Sequence, residues 1–160
     1  MMTRRITPGV LLVTWLLVTP AVAQDTHGQK PGGLGHMDHK FDDPERYAKS
    51  FDDPARDAWQ MPAKVIEALA LAPGQRVADI GAGTGYFSVR LARSVAKPQV
   101  FAVDLEPKMV QHLTTRASAE GLTNITAVLA SASSPNLPEP VDVVLAVDTY
   151  HHIPNRPAYF

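Results

Sequence analysis

Apolar and polar positions along this chain change period several times, and each change marks an element. Across "PAKVIEALAL" (62–71), Val65, Ile66, Leu69 and Ala70 share one helical face, and Pro73-Gly74 ends the run. "RVADI" (76–80) is a short apolar strand that leads straight into glycines. Beyond Gly85 the spacing predicts a helix to about Ala96, with Phe87, Leu91 and Val95 four apart on its buried face. "QVFAVDL" (99–105) reads as the second strand. Pro107 opens a helix whose inner face is Met109, Val110, Leu113 and Ala117, and Gly121 closes it. "NITAVLA" (124–130) and "VDVVLAV" (141–147) supply the third and fourth strands. The second and fourth are nearly all apolar, as parallel strands covered on both faces must be. Strand–helix–strand repetition of this kind is an α/β fold with a Rossmann-like open parallel sheet. Ligand residues in such a sheet stand at the carboxyl ends of the strands.

Ahead of the sheet stands a near-repeat, "FDDPERYAKS" (41–50) followed by "FDDPARDAWQ" (51–60). Asp43 and Asp53 each precede a proline, so they are placed to N-cap helices starting at Pro44 and Pro54. A Phe before each cap supplies a staple. Helices this short bury no core alone and must lie on the sheet domain. Tyr47, Trp59 and Gln60 then pack there or face a pocket. Residues 41–75 are accordingly read as N-terminal helices, and 76–160 as the sheet domain.

The first 40 residues have another character. Arg4 and Arg5 precede the apolar run "VLLVTWLLV" (10–18), and "AVA" (21–23) matches a small-x-small cleavage pattern. Residues 1–23 are thus expected to be a secretory signal peptide, which predicts a periplasmic or secreted protein. Left uncleaved, the segment is an anchor; once it is removed, no transmembrane helix is expected. The arginine pair in "TRRIT" (3–7) also stands where a twin-arginine signal carries one. Residues 24–40 form a glycine-containing leader with His27, His36 and His39. Such a tail offers those histidines no preorganised geometry, and no metal site is assigned.

Composition narrows the chemistry. Fifteen basic against sixteen acidic residues leave a formal net charge of −1, with no charge run to neutralise nucleic-acid phosphates. The absence of cysteine removes disulfides, thiolate zinc sites and cysteine nucleophiles. What remains gathers around "VADIGAGTGYF" (77–87), where Gly81, Gly83 and Gly85 permit close approach of the backbone. A triphosphate loop needs a Lys and a Ser or Thr after its last glycine, and here Tyr86 and Phe87 stand instead. A dinucleotide fingerprint needs a small residue at the sixth position, where Tyr86 stands. Asp79, two residues before the glycines, repels a pyrophosphate and suits a ligand with an ammonium group.

"VADIGAGTGYFS" with "VFAVDLEPKMV" resembles the class I S-adenosylmethionine-dependent methyltransferases, and "FDDPARDAWQ" with "VDTYHHIPNRPAY" resembles an exported-looking bacterial subgroup of them. The resemblance covers residues 41–160 and implies S-adenosyl-L-methionine as cofactor. It implies that Gly81, Gly83 and Gly85 pass against the methionine portion and that Asp79 reaches its amino group. Asp104 then accepts both ribose hydroxyls, and Leu105 packs on the adenine. The family usually has an acid after the third strand for the adenine amino group. Here "ASASSPNLP" (130–138) leaves Ser133, Ser134 or a backbone carbonyl to serve. It also implies a strand order of third, second, first, fourth within a seven-stranded sheet. Only four parallel strands are found, so a C-terminally truncated domain is expected, with Val141, Val143, Val144, Leu145 and Val147 on an open edge.

Methyl transfer from a sulfonium needs alignment of the acceptor and exclusion of water. A base is needed where the acceptor is a hydroxyl or a protonated amine. Asp148, Tyr150, His151 and His152, after the fourth strand, are the candidates. The acceptor is unspecified, with a small molecule expected. A non-catalytic cofactor-binding module, an inactive fragment and a Rossmann oxidoreductase stay open beside the enzyme.

Overall fold

The structure, a computed structural model, describes residues 43–160. The expected signal peptide, leader and leader histidines lie outside the described residues, as does Phe41. Asp43 caps α1 (Pro44–Phe51), its side chain accepting from the Arg46 N–H at 3.1 Å. Asp53 likewise accepts from the Ala55 N–H at 2.9 Å, but it opens only a 3₁₀ turn (Pro54–Arg56) and one α-turn, α2 (Asp57–Gln60). The two repeat copies therefore diverge in structure after similar starts.

Next comes α3 (Pro62–Ala68), which ends before the expected Ala70. Ala70 has φ of 48° and is exposed, so it forms the exit turn rather than the helix face. Val65, Ile66 and Leu69 do pack on the core. The sheet comprises β1 (Arg76–Ile80), β2 (Gln99–Asp104), β3 (Ile125–Leu129) and β4 (Val143–Ala146), in the order β3-β2-β1-β4. Every pairing is parallel. Between the strands lie α4 (Tyr86–Arg93) and α5 (Pro107–Ala119).

Side chains alternate across the sheet with period two. Val77 and Val100 meet Phe87 and Leu91 of α4 on one face, and Ala102 meets Leu113 of α5 there. Ala78, Ile80, Phe101 and Val103 point the other way, toward Ile153 and Tyr159 of the segment after β4. That segment holds a 3₁₀ turn (Tyr150–His152) and α6 (Arg156–Tyr159).

Two expectations about burial fail. Val95 is fully exposed, because α4 stops at Arg93 and Ser94 turns extended at ψ 163°. In β4 only Leu145 is buried, because that strand pairs with β1 on one side and lies at the sheet's edge among the described residues. Among the described residues no helix is long and apolar enough to cross a membrane.

Candidate functional site

Parallel pairing brings the carboxyl ends of all four strands to one edge, and the strand order sets them side by side. Across that edge stand the turn after β3, then Asp104 and Leu105, then the glycine loop, then Asp148. Asp79 sits one residue before the end of β1, on the α4 face of the sheet. It is only 3% exposed, and the Ser88 hydroxyl donates to it at 2.6 Å. Burial pushes its carboxyl up to about 6, against the Ser88 hydrogen bond and aided by the nearby Asp104 charge.

Asp104 organises the loop. Its Oδ2 accepts the Gly83 N–H at 2.8 Å and its Oδ1 accepts the Glu106 N–H at 3.0 Å. Burial raises its pKa, while these backbone hydrogen bonds hold it down. The other loop donors also turn inward. The N–H groups of Gly81 and Ala82 both donate to the Val103 carbonyl, at 2.8 and 2.9 Å, and that of Gly85 donates to the Ala82 carbonyl at 2.9 Å. A phosphate cradle presents such N–H groups outward. This loop has spent them internally.

What the glycines approach is other parts of the same chain. A Cβ at Gly81, where φ is 72°, would fall 2.0 Å from the Thr149 Oγ1. One at Gly83 would lie 3.3 Å from the Phe51 ring, and one at Gly85 2.9 Å from Leu113. The loop is thus clasped by the segment after β4, by α1 and by α5.

Leu105 is 55% exposed beside Asp104. Ser133 is exposed in a turn closed by the Ser131 N–H donating to the Ser134 carbonyl at 2.9 Å, and its hydroxyl is 3.4 Å from that of Ser131. Asp148 takes φ of 56° and is paired at 3.4 Å with Arg56. His151 and His152 are exposed, their ring centroids 4.0 Å apart.

Two arginines that sequence reasoning passed over tie the N-terminal helices to the site. Arg56 donates to the Phe51 carbonyl at 3.0 Å and to Asp148, and its guanidinium lies 4.2 Å from the centre of the Tyr86 ring. Arg116 donates to Asp52 at 2.9 Å and to the Thr84 carbonyl at 2.8 Å. The repeat held one signal for Arg56: both copies carry an arginine two residues after the proline, Arg46 and Arg56.

Residues 77–160 match the family described as "Methyltransferase domain". Over 103 residues the chain is 37% identical to a protein-L-isoaspartate O-methyltransferase of Roseiflexus sp. (strain RS-1), covering 54% of this chain and 46% of that protein. Over 120 residues it is 32% identical to the ubiquinone biosynthesis O-methyltransferase of Burkholderia pseudomallei (strain 1710b), covering 73% of this chain and 48% of the relative. A SAM-dependent methyltransferase from Aquifex aeolicus is similar in structure, with a TM-score of 0.62 at 29% identity, over 71% of this chain and 61% of that one. The chain spans about half the length of the curated relatives it matches.

Proposed function

Since the chain belongs to the class I S-adenosylmethionine-dependent methyltransferases, we propose that its strand-end crevice binds that cofactor and serves methyl transfer to a small-molecule acceptor. The observation that carries this reading is the glycine loop with its N–H groups turned inward, flanked by the buried Asp79 and the half-buried Asp104. Such a site is poor for a phosphate and suited to a ligand with an ammonium group and hydroxyls.

The residues fit the group. Each Asp104 oxygen accepts one backbone N–H and keeps a lone pair for a ribose hydroxyl. Asp79, already dry and hydrogen-bonded by Ser88, would hold the ammonium. Leu105 offers an apolar surface to the adenine, and Ser133 a hydroxyl on the β3 side. When bound, the cofactor supplies a methyl group on a sulfonium, poised for in-line displacement. The chain's part is then to position the acceptor and, where needed, take its proton. His151 and His152 are the exposed bases after β4, whereas Asp148 is engaged by Arg56 and acts through charge and placement.

Isothermal titration with S-adenosylmethionine, S-adenosylhomocysteine and NADH tests the binding half of the proposal. The first two bind; tight binding of NADH in their place sinks it. A labelled-methyl screen with wild type and the His151→Ala/His152→Ala variant tests the second half, with cofactor affinity expected to be retained and turnover lowered.

A further inference from the structure

Val95 continues an apolar spacing yet is fully exposed, and the surface beside it is not flat. There α3 packs beside α4, and the space between them is a hollow of about 790 Å³. It runs from Asp57 and Pro62 to the turn after α4, and none of the residues proposed for the cofactor lines it. Its α3 bank is Ala63, Ile66, Glu67 and Ala70, one stripe at helical spacing. Its α4 bank is Val89, Arg90 and Arg93, and Val95 lines it from the turn. A single exposed apolar side chain is ordinary. An apolar hollow with a fully exposed valine at its rim marks a contact surface.

The charges around the hollow decide what fits it. A small-molecule site offers unengaged polar groups that converge on the ligand. Here Arg116 is committed to Asp52, Glu120 and the Thr84 carbonyl, and Arg90 to Asp57 and the Tyr86 carbonyl. One charge on each bank stays open among the described residues. Glu67 is exposed, and its side chain makes no hydrogen bond or ion pair with them. Arg93 gives one nitrogen to Glu120 at 2.8 Å and, 58% exposed, keeps its other N–H groups for a further acceptor. An occupant of one charge sign would leave one bank unmet. The occupant that fits carries both.

We propose that this face is a homodimer interface, in which each copy of the chain seats its Val95 in the hollow of the other and sets its Glu67 against the other's Arg93. An acid on one bank, a base on the facing bank, a knob and a hollow make the surface complementary to itself. Two-fold association then makes every contact twice, i with j and j with i. The apolar contact supplies the driving force, and the paired charges fix the register and exclude other partners. The proposal is independent of the cofactor reading, since it uses α3, α4 and the turn after α4 rather than the strand ends.

Sedimentation velocity of the full chain over a series of concentrations tests the proposal. The wild type should show a monomer–dimer equilibrium. Val95→Asp places a charge in the apolar contact and should weaken association about a hundredfold or more. Glu67→Arg and Arg93→Glu each set like charges face to face and should weaken it about tenfold or more. The double exchange Glu67→Arg/Arg93→Glu restores opposite signs and should associate more tightly than either single variant. All of these positions are exposed, and thermal melts check that each variant is folded. A wild type that stays monomeric throughout overturns the proposal and leaves the hollow to another occupant. Association that no variant weakens also overturns it, and moves the contact elsewhere, such as to the β4 edge. A double exchange no tighter than the single ones overturns the two-fold pairing of Glu67 with Arg93.

Discussion

The N-terminal strap, residues 43–60, and the sheet beneath it are held by different forces. Neither α1, the 3₁₀ turn nor α2 buries a single residue, whereas β1 and β2 are buried almost throughout. The strap is tied down by ion pairs to three separate elements: Asp52 to Arg116 of α5, Arg56 to Asp148 after β4, and Asp57 to Arg90 of α4. The Tyr86 hydroxyl donates to Asp57 as well, and Phe51 lies over Gly83. The sheet is tied by apolar side chains on both faces. Burial is insensitive to salt and only weakly to pH, while exposed ion pairs depend on both. The strap should therefore loosen under conditions that leave the sheet folded, and the crevice proposed for the cofactor lies at the seam between them.

Breaking the sheet side has the largest effect. Gly81→Ala adds a Cβ 2.6 Å from that of Thr149 at φ 72°, so it meets both left-handed strain and the rigid part of a β-branched side chain. It should cost toward the upper end of about 2–5 kcal/mol. Gly74→Ala has a similar φ, 84°, with nothing within 4 Å, and should cost about 1–2 kcal/mol. Thermal melts of the two variants check the difference. Equal losses would show that the Thr149 contact is not rigid.

Acid sharpens the comparison because the two regions respond with opposite sign. The Asp79 carboxyl is raised from 3.8 to about 6 by burial, so the folded chain binds its proton more tightly than the unfolded chain does. Its contribution is fully present below about pH 3.8 and is lost as pH rises through 6; at about 1.4 kcal/mol per unit this is on the order of 3 kcal/mol. Asp57 is the reverse case. The Tyr86 hydrogen bond lowers its pKa, so its contribution is present above 3.8 and is lost as pH falls through the lower folded value. Melting of wild type against Asp79→Asn between pH 4 and 7 should show wild type gaining at the acid end. Hydrogen-exchange protection in α2, corrected for the slower intrinsic exchange in acid, should fall on further acidification.

Asp104→Ala removes both the pin on Gly83 and the proposed ribose contact. Cofactor affinity should drop by about 1.5–3 kcal/mol, or roughly ten- to hundredfold, in isothermal titration. Unchanged affinity would falsify the role assigned to Asp104. The smallest effect belongs to the strap. Asp52→Asn weakens its pairing with a partly exposed Arg116 and should cost under about 1 kcal/mol. Global melting should barely move, while hydrogen exchange across α1 accelerates, and molar salt should reproduce the effect in the wild type.

Much of this architecture was legible in one dimension. The strands of "RVADI" and "QVFAVD", the caps at Asp43 and Asp53 and the positions of Asp79, Asp104 and Asp148 at strand ends all arise from local chemistry. Period-two and period-3.6 patterns, proline's missing N–H and glycine's freedom at positive φ act within a few residues of where they are written. The errors came at element ends. Val95 and Ala70 continue a helical spacing, yet α4 ends at Arg93 and α3 at Ala68. A side-chain pattern does not register where the backbone stops hydrogen bonding.

The sheet, the glycine loop and the strand-end acids were thus already written in the order of the residues. Long-range packing alone turned the loop's N–H groups inward, set Thr149, Phe51 and Leu113 against its glycines, and brought Arg56 over Tyr86 with an N–H to spare. Those outcomes depend on which distant surfaces meet. Nothing local to a residue records the chemistry of a partner 30 or 92 positions away, as Tyr86 and Asp148 are from Arg56.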